Sequence, residues 1–232
     1  PHLSLTAPGI WYLAHLKLPS GDIVGGTMPG LPTIVLGHNA HVAWGFTTTQ
    51  ADTEDLVIET LDPKDATRYL TPHGSEPFLV RHEKIRVRFG KTREVEFRES
   101  RHGPILPDVF KSVAEILPPG TVMALSAAGL SRDDTTLDAG LALIDLKTVK
   151  DVPATMPLYQ APMQNMVFAD TEGHIAYFAP ARVPMRGAAA VQDGRVPAEG
   201  KLQDPLWTGF VPSTELPQII DPPAGKIWTA NN

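Results

Sequence analysis

Residues 52–55 read Asp-Thr-Glu-Asp, three carboxylates in four positions directly after a strand-like run. Carboxylates and backbone carbonyls converging in one loop suit a hard cation such as Ca²⁺, which takes oxygen ligands. The same pattern also describes a solvated acidic turn. At the other end of the chain, Asn231-Asn232 follows an apolar run. An Asn amide can donate a hydrogen bond to a developing oxyanion, and Asn is equally an ordinary turn residue. Thr47-Thr48-Thr49 follows Trp44-Gly45 and has the β-branched composition of a strand. Backbone N–H groups at an irregular strand end can serve an oxyanion in the same way. General signatures of chemistry are missing: there is no G-x-S-x-G, H-E-x-x-H, Walker loop or G-x-G-x-x-G. The eight histidines show no metal-ligand spacing. The absence of cysteine excludes a disulfide framework, a zinc–thiolate site, an iron–sulfur cluster and a cysteine nucleophile.

The elements that must position these residues are short and closely spaced. Alternating apolar runs punctuated by Gly and Pro predict strands over 10–18, 23–28, 34–36, 42–49 and 55–60, in one largely antiparallel sheet. Residues 62–83 read as polar loop. A hairpin is expected from 84–89 and 93–98 around Gly90-Lys91, and another from 166–170 and 175–179 around Glu172-Gly173. A strand is expected over 122–126. One helix is expected over about 134–148, with N-cap residues in Ser131–Asp134 and with Leu137, Leu141, Ile144 and Leu146 facing inward. A second short helix is expected after Thr148. Residues 180–225 read as Pro/Gly-rich loops, and 227–230 as a last strand. The expectation is a single domain over 1–232, with a loop-rich insert near 62–130.

Composition agrees with this class. The 19 glycines and 23 prolines exceed the roughly 12% combined average, mostly through proline, which favours a turn-rich β body over a helix bundle. The 42% hydrophobic content supports a buried core. A net charge of −6 argues against a nucleic-acid partner, and no apolar run is long enough to span a bilayer. Neither end looks like a natural terminus, so the chain is expected to be a piece of a longer protein.

Taken together, the motifs carry a resemblance. Pro1-His2-Leu3, Ala7-Pro8-Gly9-Ile10-Trp11-Tyr12, Met28-Pro29-Gly30-Leu31-Pro32, Gly37-His38-Asn39, Val42-Ala43-Trp44-Gly45 and Ala51-Asp52-Thr53-Glu54-Asp55-Leu56 open the series. Arg101-His102-Gly103-Pro104-Ile105, Ala161-Pro162-Met163-Gln164-Asn165, Ala169-Asp170-Thr171-Glu172-Gly173-His174-Ile175 and Thr229-Ala230-Asn231-Asn232 continue it. In this order and spacing the chain resembles the β subunit of the penicillin acylase family of N-terminal-nucleophile hydrolases.

That resemblance implies an α+β fold, a β-rich fragment of an αββα sandwich with a largely antiparallel sheet and one or two helices. It implies a precursor that cuts itself into α and β subunits. The new N-terminal Ser attacks an N-acyl amide and its own α-amine acts as base; that Ser falls upstream of Pro1. His2 matches the residue that hydrogen-bonds the nucleophile's amine or hydroxyl, Thr48 the backbone N–H donor of the oxyanion hole, and Asn231 its side-chain donor, with Asn232 one residue on. Leu3, Leu36 and Phe46 match positions lining the acyl pocket, where Leu favours an aliphatic acyl chain. Asp52, the Glu54 carbonyl and Asp55 match ligands of a structural calcium ion, with a further backbone ligand near Gly194. The implied partners are the α subunit, the rest of the β subunit and a small N-acyl amide substrate, and the implied location is periplasmic or secreted. The contrasting expectation is a non-catalytic scaffold that has lost the nucleophile.

Overall fold

The computed structural model describes residues 6–107, 111–202 and 206–231, which divide into two compact units. Unit 1 comprises 1–52, 132–183 and 211–232, and unit 2 comprises 53–131 and 184–210. The sheets are mostly antiparallel, as expected.

Unit 1 is built on a seven-stranded sheet. Its strands run, in spatial order, Tyr12–Leu18, Gly21–Thr27, Leu36–His38, Val42–Thr48, Gln164–Asp170, Ile175–Phe178 and Gln218–Ile220. Pro19-Ser20 turns the first hairpin, whose register pairs Leu18 with Gly21. One face of the sheet is apolar because alternate residues of each strand point to it: Val42 and Trp44, then Met166 and Phe168, then Ala176 and Phe178. Against that face pack Leu143, Leu146, Val149, Val152 and Met156 from short helical turns. Asn39 ties the two layers together. Its Nδ2 donates to the carbonyls of Ile144 and Leu146, and its Oδ1 accepts from the N–H groups of His41 and Val42. All four hydrogen-bonding capacities of this buried amide are thereby used.

Asp170 makes a second tie. Burial alone would raise its carboxyl, but hydrogen bonds from the N–H of Val149, the N–H of His174, the Thr148 hydroxyl and the N–H of Glu172 bring it down to about 2. The expected hairpin around Glu172-Gly173 is present, with Met166 opposite Phe178. The expected helix after Thr148 is present too, opened by a Thr148–Asp151 capping box.

Three expectations are corrected. Residues 62–83 are not loop: strands Asp65–Thr71, Gly74–Pro77 and the start of Leu79–Ile85 lie there. Most of their side chains are polar and exposed or half-buried, and a few buried ones, Tyr69 stacked on Phe78 with centroids 4.8 Å apart, anchor the paired strands. The helix covers only Thr136–Ala142 before tightening into a 3₁₀ turn at Leu143–Asp145. The inward face is the one set by Ala139 and Leu143, four residues apart, and continued by Leu146, so Leu137 and Leu141, off that face, are 47% and 41% exposed. Residues 227–230 form no strand, because Gln218–Ile220 already pairs with Ile175–Phe178 at that side of the sheet.

In unit 2 the strand Glu54–Asp62 lies between Thr121–Ala127 and Asp65–Thr71, and pairs in parallel with Ala198–Glu199. The hairpin expected around Gly90-Lys91 is present, but its first strand is Leu79–Ile85 rather than 84–89; it pairs with Arg93–Ser100, and 86–92 form the connection. A small core gathers Val57, Ala124, Ala198 and Leu206. Among the described residues, no helix is long and apolar enough to cross a membrane.

Candidate functional site

The strand Val42–Thr48 alternates, so Trp44 and Phe46 share the helix-packed face and Thr47 lies on the other. The antiparallel register sets Asn165 directly opposite Thr47. In the next strand Tyr177 stands opposite Val167, which places it diagonally from Asn165 on that same face. Side-chain chemistry follows from this placement. The Tyr177 hydroxyl donates to Asn165 Oδ1 at 2.7 Å, and Asn165 Nδ2 donates to Thr47 Oγ1 at 3.3 Å. Thr47 Oγ1 donates to Thr229 Oγ1 at 3.0 Å and accepts the backbone N–H of Asn231 at 3.4 Å. Asn165 is 3% exposed, so its amide needs these partners. Burial raises the Tyr177 phenol, which keeps its proton available for donation.

The structure therefore brings Asn231, 184 residues away in sequence, to the residue before Thr48. Thr48 ends its strand with an exposed side chain, opposite Gln164. Asn231 is half-buried with a left-handed backbone, φ +52°, a conformation Asn tolerates better than most residues. Beside this network opens a cleft of about 300 Å³, lined by Asn165, Tyr177, Ile219, Ile227, Trp228 and Thr229 among others. The Asn231 backbone meets Thr47 beside Thr48, and an Asn side-chain amide together with a strand-end N–H are groups of the kind that can hold a carbonyl oxygen gaining negative charge. Of the two acyl-pocket candidates that are described, Leu36 is half-buried opposite Gly26, and Phe46 packs on the unit 1 core. His2, Leu3 and Asn232 lie outside the described residues.

The acidic segment separates by burial. Asp52 and Glu54 are exposed, and Asp55 is buried at the start of the unit 2 strand Glu54–Asp62. Arg186 Nε donates to both Asp55 oxygens, at 3.2 and 3.1 Å, and Trp207 Nε1 donates to Oδ2. Gly194, with φ +85°, presses on the same carboxylate: a Cβ there would fall 2.0 Å from Asp55 Oδ1. Calcium takes six to eight oxygens, whereas the Asp55 oxygens are engaged by N–H donors, one of them a guanidinium. Among the described residues no group of three or more His, Asp or Glu side chains is placed to hold a metal. The described residues of this chain alone do not make a calcium cage.

Two residues further along the inward face of that strand is Glu59, at 0% exposed. His102 Nδ1 bonds its Oε1 at 2.8 Å, and its buried Oε2 has no hydrogen-bond partner among the described residues. Gly200 packs so closely that a Cβ would meet Oε2 at 1.9 Å.

The sequence reading singled out Thr48 and Asn231 but gave no role to Asn165, Tyr177, Glu59 or His102. The alternation Asp55-Val57-Glu59 signals an inward acidic face, whereas nothing local links Asn165 to Thr47 or Asn231.

Comparison with known proteins adds a name to this arrangement. The penicillin amidase family model matches residues 1–232. The chain is 30% identical over its whole length to penicillin acylase 2 proenzyme of Pseudomonas sp. (strain SE83), covering 29% of that protein. It is likewise 30% identical over its whole length to acyl-homoserine lactone acylase QuiP of Pseudomonas aeruginosa, covering 27% of it. Among solved structures, thermostable penicillin G acylase from Alcaligenes faecalis matches 97% of this chain and 39% of its own, at 27% identity and a TM-score of 0.81. The chain thus spans between a quarter and a third of the length of these two relatives.

Proposed function

This chain belongs to the penicillin amidase family, and on that footing we propose that its parent protein hydrolyses the amide bond between an acyl group and an amine through an acyl-enzyme. The observation that carries the reading is the meeting of Asn231 with the Thr47-Thr48 strand end. The relatives' names, penicillin acylase on one side and acyl-homoserine lactone acylase on the other, support an N-acyl amide as the substrate class.

In this reading the nucleophile is an N-terminal Ser exposed by self-cleavage of a precursor and located outside this chain. Its hydroxyl attacks the acyl carbonyl, and the proton passes to its own α-amine, held by His2. As the C–O bond forms, the carbonyl oxygen becomes anionic and accepts from the Thr48 backbone N–H and the Asn231 side-chain amide. Collapse breaks the C–N bond, and the α-amine returns the proton to the leaving nitrogen. Water then attacks the ester through the same groups, releasing the acid and restoring the Ser. Leu3, Leu36 and Phe46 receive an aliphatic acyl chain.

Calcium belongs to this proposal only as a structural ion of the parent protein. The exposed Asp52 and the Glu54 carbonyl would contribute some of its oxygens and the rest of the parent the others, whereas Asp55 would have to give up its Arg186 and Trp207 donors to join them. Export to the periplasm or beyond belongs to it likewise.

The test is to express the whole parent protein and incubate it with long-chain acyl-homoserine lactones, glutaryl amides and phenylacetyl amides. Amine release, together with an acyl adduct on the new N-terminal Ser in the mass spectrum, is the expected result. A self-cleaved protein inert toward every N-acyl class would overturn the reading and leave a scaffold that has lost catalysis.

A further inference from the structure

We propose that Asn165 is a positioning residue for the oxyanion site, acting on Asn231 through the Thr47 hydroxyl; the inference rests on the role given above to Asn231. A Thr hydroxyl has one proton and two acceptor sites. Thr47 uses all three: its proton goes to Thr229, and its lone pairs take the Asn231 N–H and the Asn165 amide. The direction of each bond is therefore fixed by the other two. With Asn165 supplying an N–H, the Thr47 proton is free for Thr229, and the segment carrying both Thr229 and Asn231 is held at two points. Asn165 cannot turn its amide around easily, because Oδ1 accepts the Tyr177 hydroxyl in the same buried setting.

The need for such a hold is visible in the backbone. Residues 226–231 belong to no helix or strand, and Asn231 sits at φ +52°. Its N–H bond to Thr47 is long, at 3.4 Å, so its strength depends on an acceptor that does not rotate. An oxyanion donor loses effect when misplaced, and a shift of about 1 Å can cost on the order of a hundredfold in rate.

Asn165→Asp is the sharpest probe because it keeps the shape and removes the donor. A carboxylate oxygen at that place can only accept, so it draws the Thr47 proton away from Thr229 and frees the terminal segment. In the self-cleaved parent protein, Asn165→Asp and Thr47→Val should each lower kcat by about ten- to a hundredfold, with KM within about twofold. Thr47→Ser keeps the hydroxyl and should retain kcat. Asn231→Ala should lower kcat by about 10²–10³. Adding Asn165→Asp to Asn231→Ala should cost almost nothing more, because the two act on one donor. A purely structural role for Asn165 would instead show the same loss in both backgrounds and would overturn the positioning role. So would a normal kcat for Asn165→Asp beside an impaired Asn231→Ala. If Asn231→Ala itself keeps full kcat, the oxyanion reading fails and the positioning role falls with it. Should Asn165→Asp not fold, Tyr177→Phe loosens the same amide with less disturbance and should give a smaller kcat loss of the same kind; a wild-type kcat there would overturn the proposal.

Discussion

The two units bury polar groups in opposite ways. In unit 1, Thr47, Asn165, Tyr177 and Thr229 form a neutral chain in which hydroxyls and amides satisfy one another. In unit 2, one strand turns two carboxylates inward, and each meets a basic side chain: Asp55 with Arg186, Glu59 with His102. A neutral network fixes direction cheaply, since none of its members carries the several kcal/mol of desolvation that a buried ion costs. A buried carboxylate is stable only while its donors stay, so it locks the surrounding backbone instead. The neutral network lies beside the proposed oxyanion residues, and the charged one lies where loops close on the strand. The chain keeps Gly at 194 and 200, where those loops close on the carboxylates.

The largest effect that can break this contrast is expected at Glu59. His102→Ala strips its remaining partner and leaves both oxygens orphaned, which should cost about 3–5 kcal/mol. The loss should appear as faster hydrogen exchange of the Glu54–Asp62 amides. Replacing both partners with apolar side chains should recover much of it. A His102→Ala protein with unchanged exchange would show that the pair does not hold unit 2.

An intermediate effect is expected at Asp170, a carboxylate of unit 1 held by several N–H and hydroxyl donors. Its folded value of about 2 lies below the ordinary carboxylate value. A lowered value means that stability is present above the unfolded value near 3.9 and is lost as pH falls through the folded one, between about pH 5 and pH 2. Asp170→Asn should cost about 1–3 kcal/mol at neutral pH and flatten that acid limb. Urea unfolding midpoints across this range measure both. An acid limb as steep in the variant as in the parent would remove Asp170 from the explanation.

How much of this was legible in the sequence depends on how far the determinants reach. The 166–170 and 175–179 hairpin was readable because its alternation and its Gly173, at φ +93°, are local. The Thr148 cap was readable for the same reason. Leu137 and Leu141 share a helical face by spacing, but the small Ala139 marks the buried face, and Leu143, one turn on from it, is the leucine that is buried. The strands within 62–83 stayed hidden because they are mostly polar, with only isolated apolar anchors such as Tyr69 and Phe78 and no sustained alternation. At the site, family motifs pointed to Thr48 and Asn231. Asn165 was quoted within a motif without a role, because its partner Thr47 lies 118 residues away. The calcium reading took Asp52, Glu54 and Asp55 as one set, whereas burial sets Asp55 apart with Arg186 and Trp207.

Smaller effects sharpen the same points. Leu143→Ala should cost about 2–5 kcal/mol and Leu141→Ala no more than about 0.5 kcal/mol, by thermal unfolding. Equal costs would put Leu141 on the inward face as well. Thr48→Ala should change kcat by less than about twofold, because the proposed donor there is the backbone N–H. A large loss would move the role to the hydroxyl.

The most direct measurement is kcat of Asn231→Ala in the self-cleaved parent protein, on the amide that the unaltered protein cleaves fastest, with folding checked by the thermal midpoint. A fall of about 10²–10³ at an unchanged midpoint is the predicted result. A kcat equal to that of the unaltered protein would contradict the assignment of Asn231 and the Thr47-Thr48 strand end to the oxyanion.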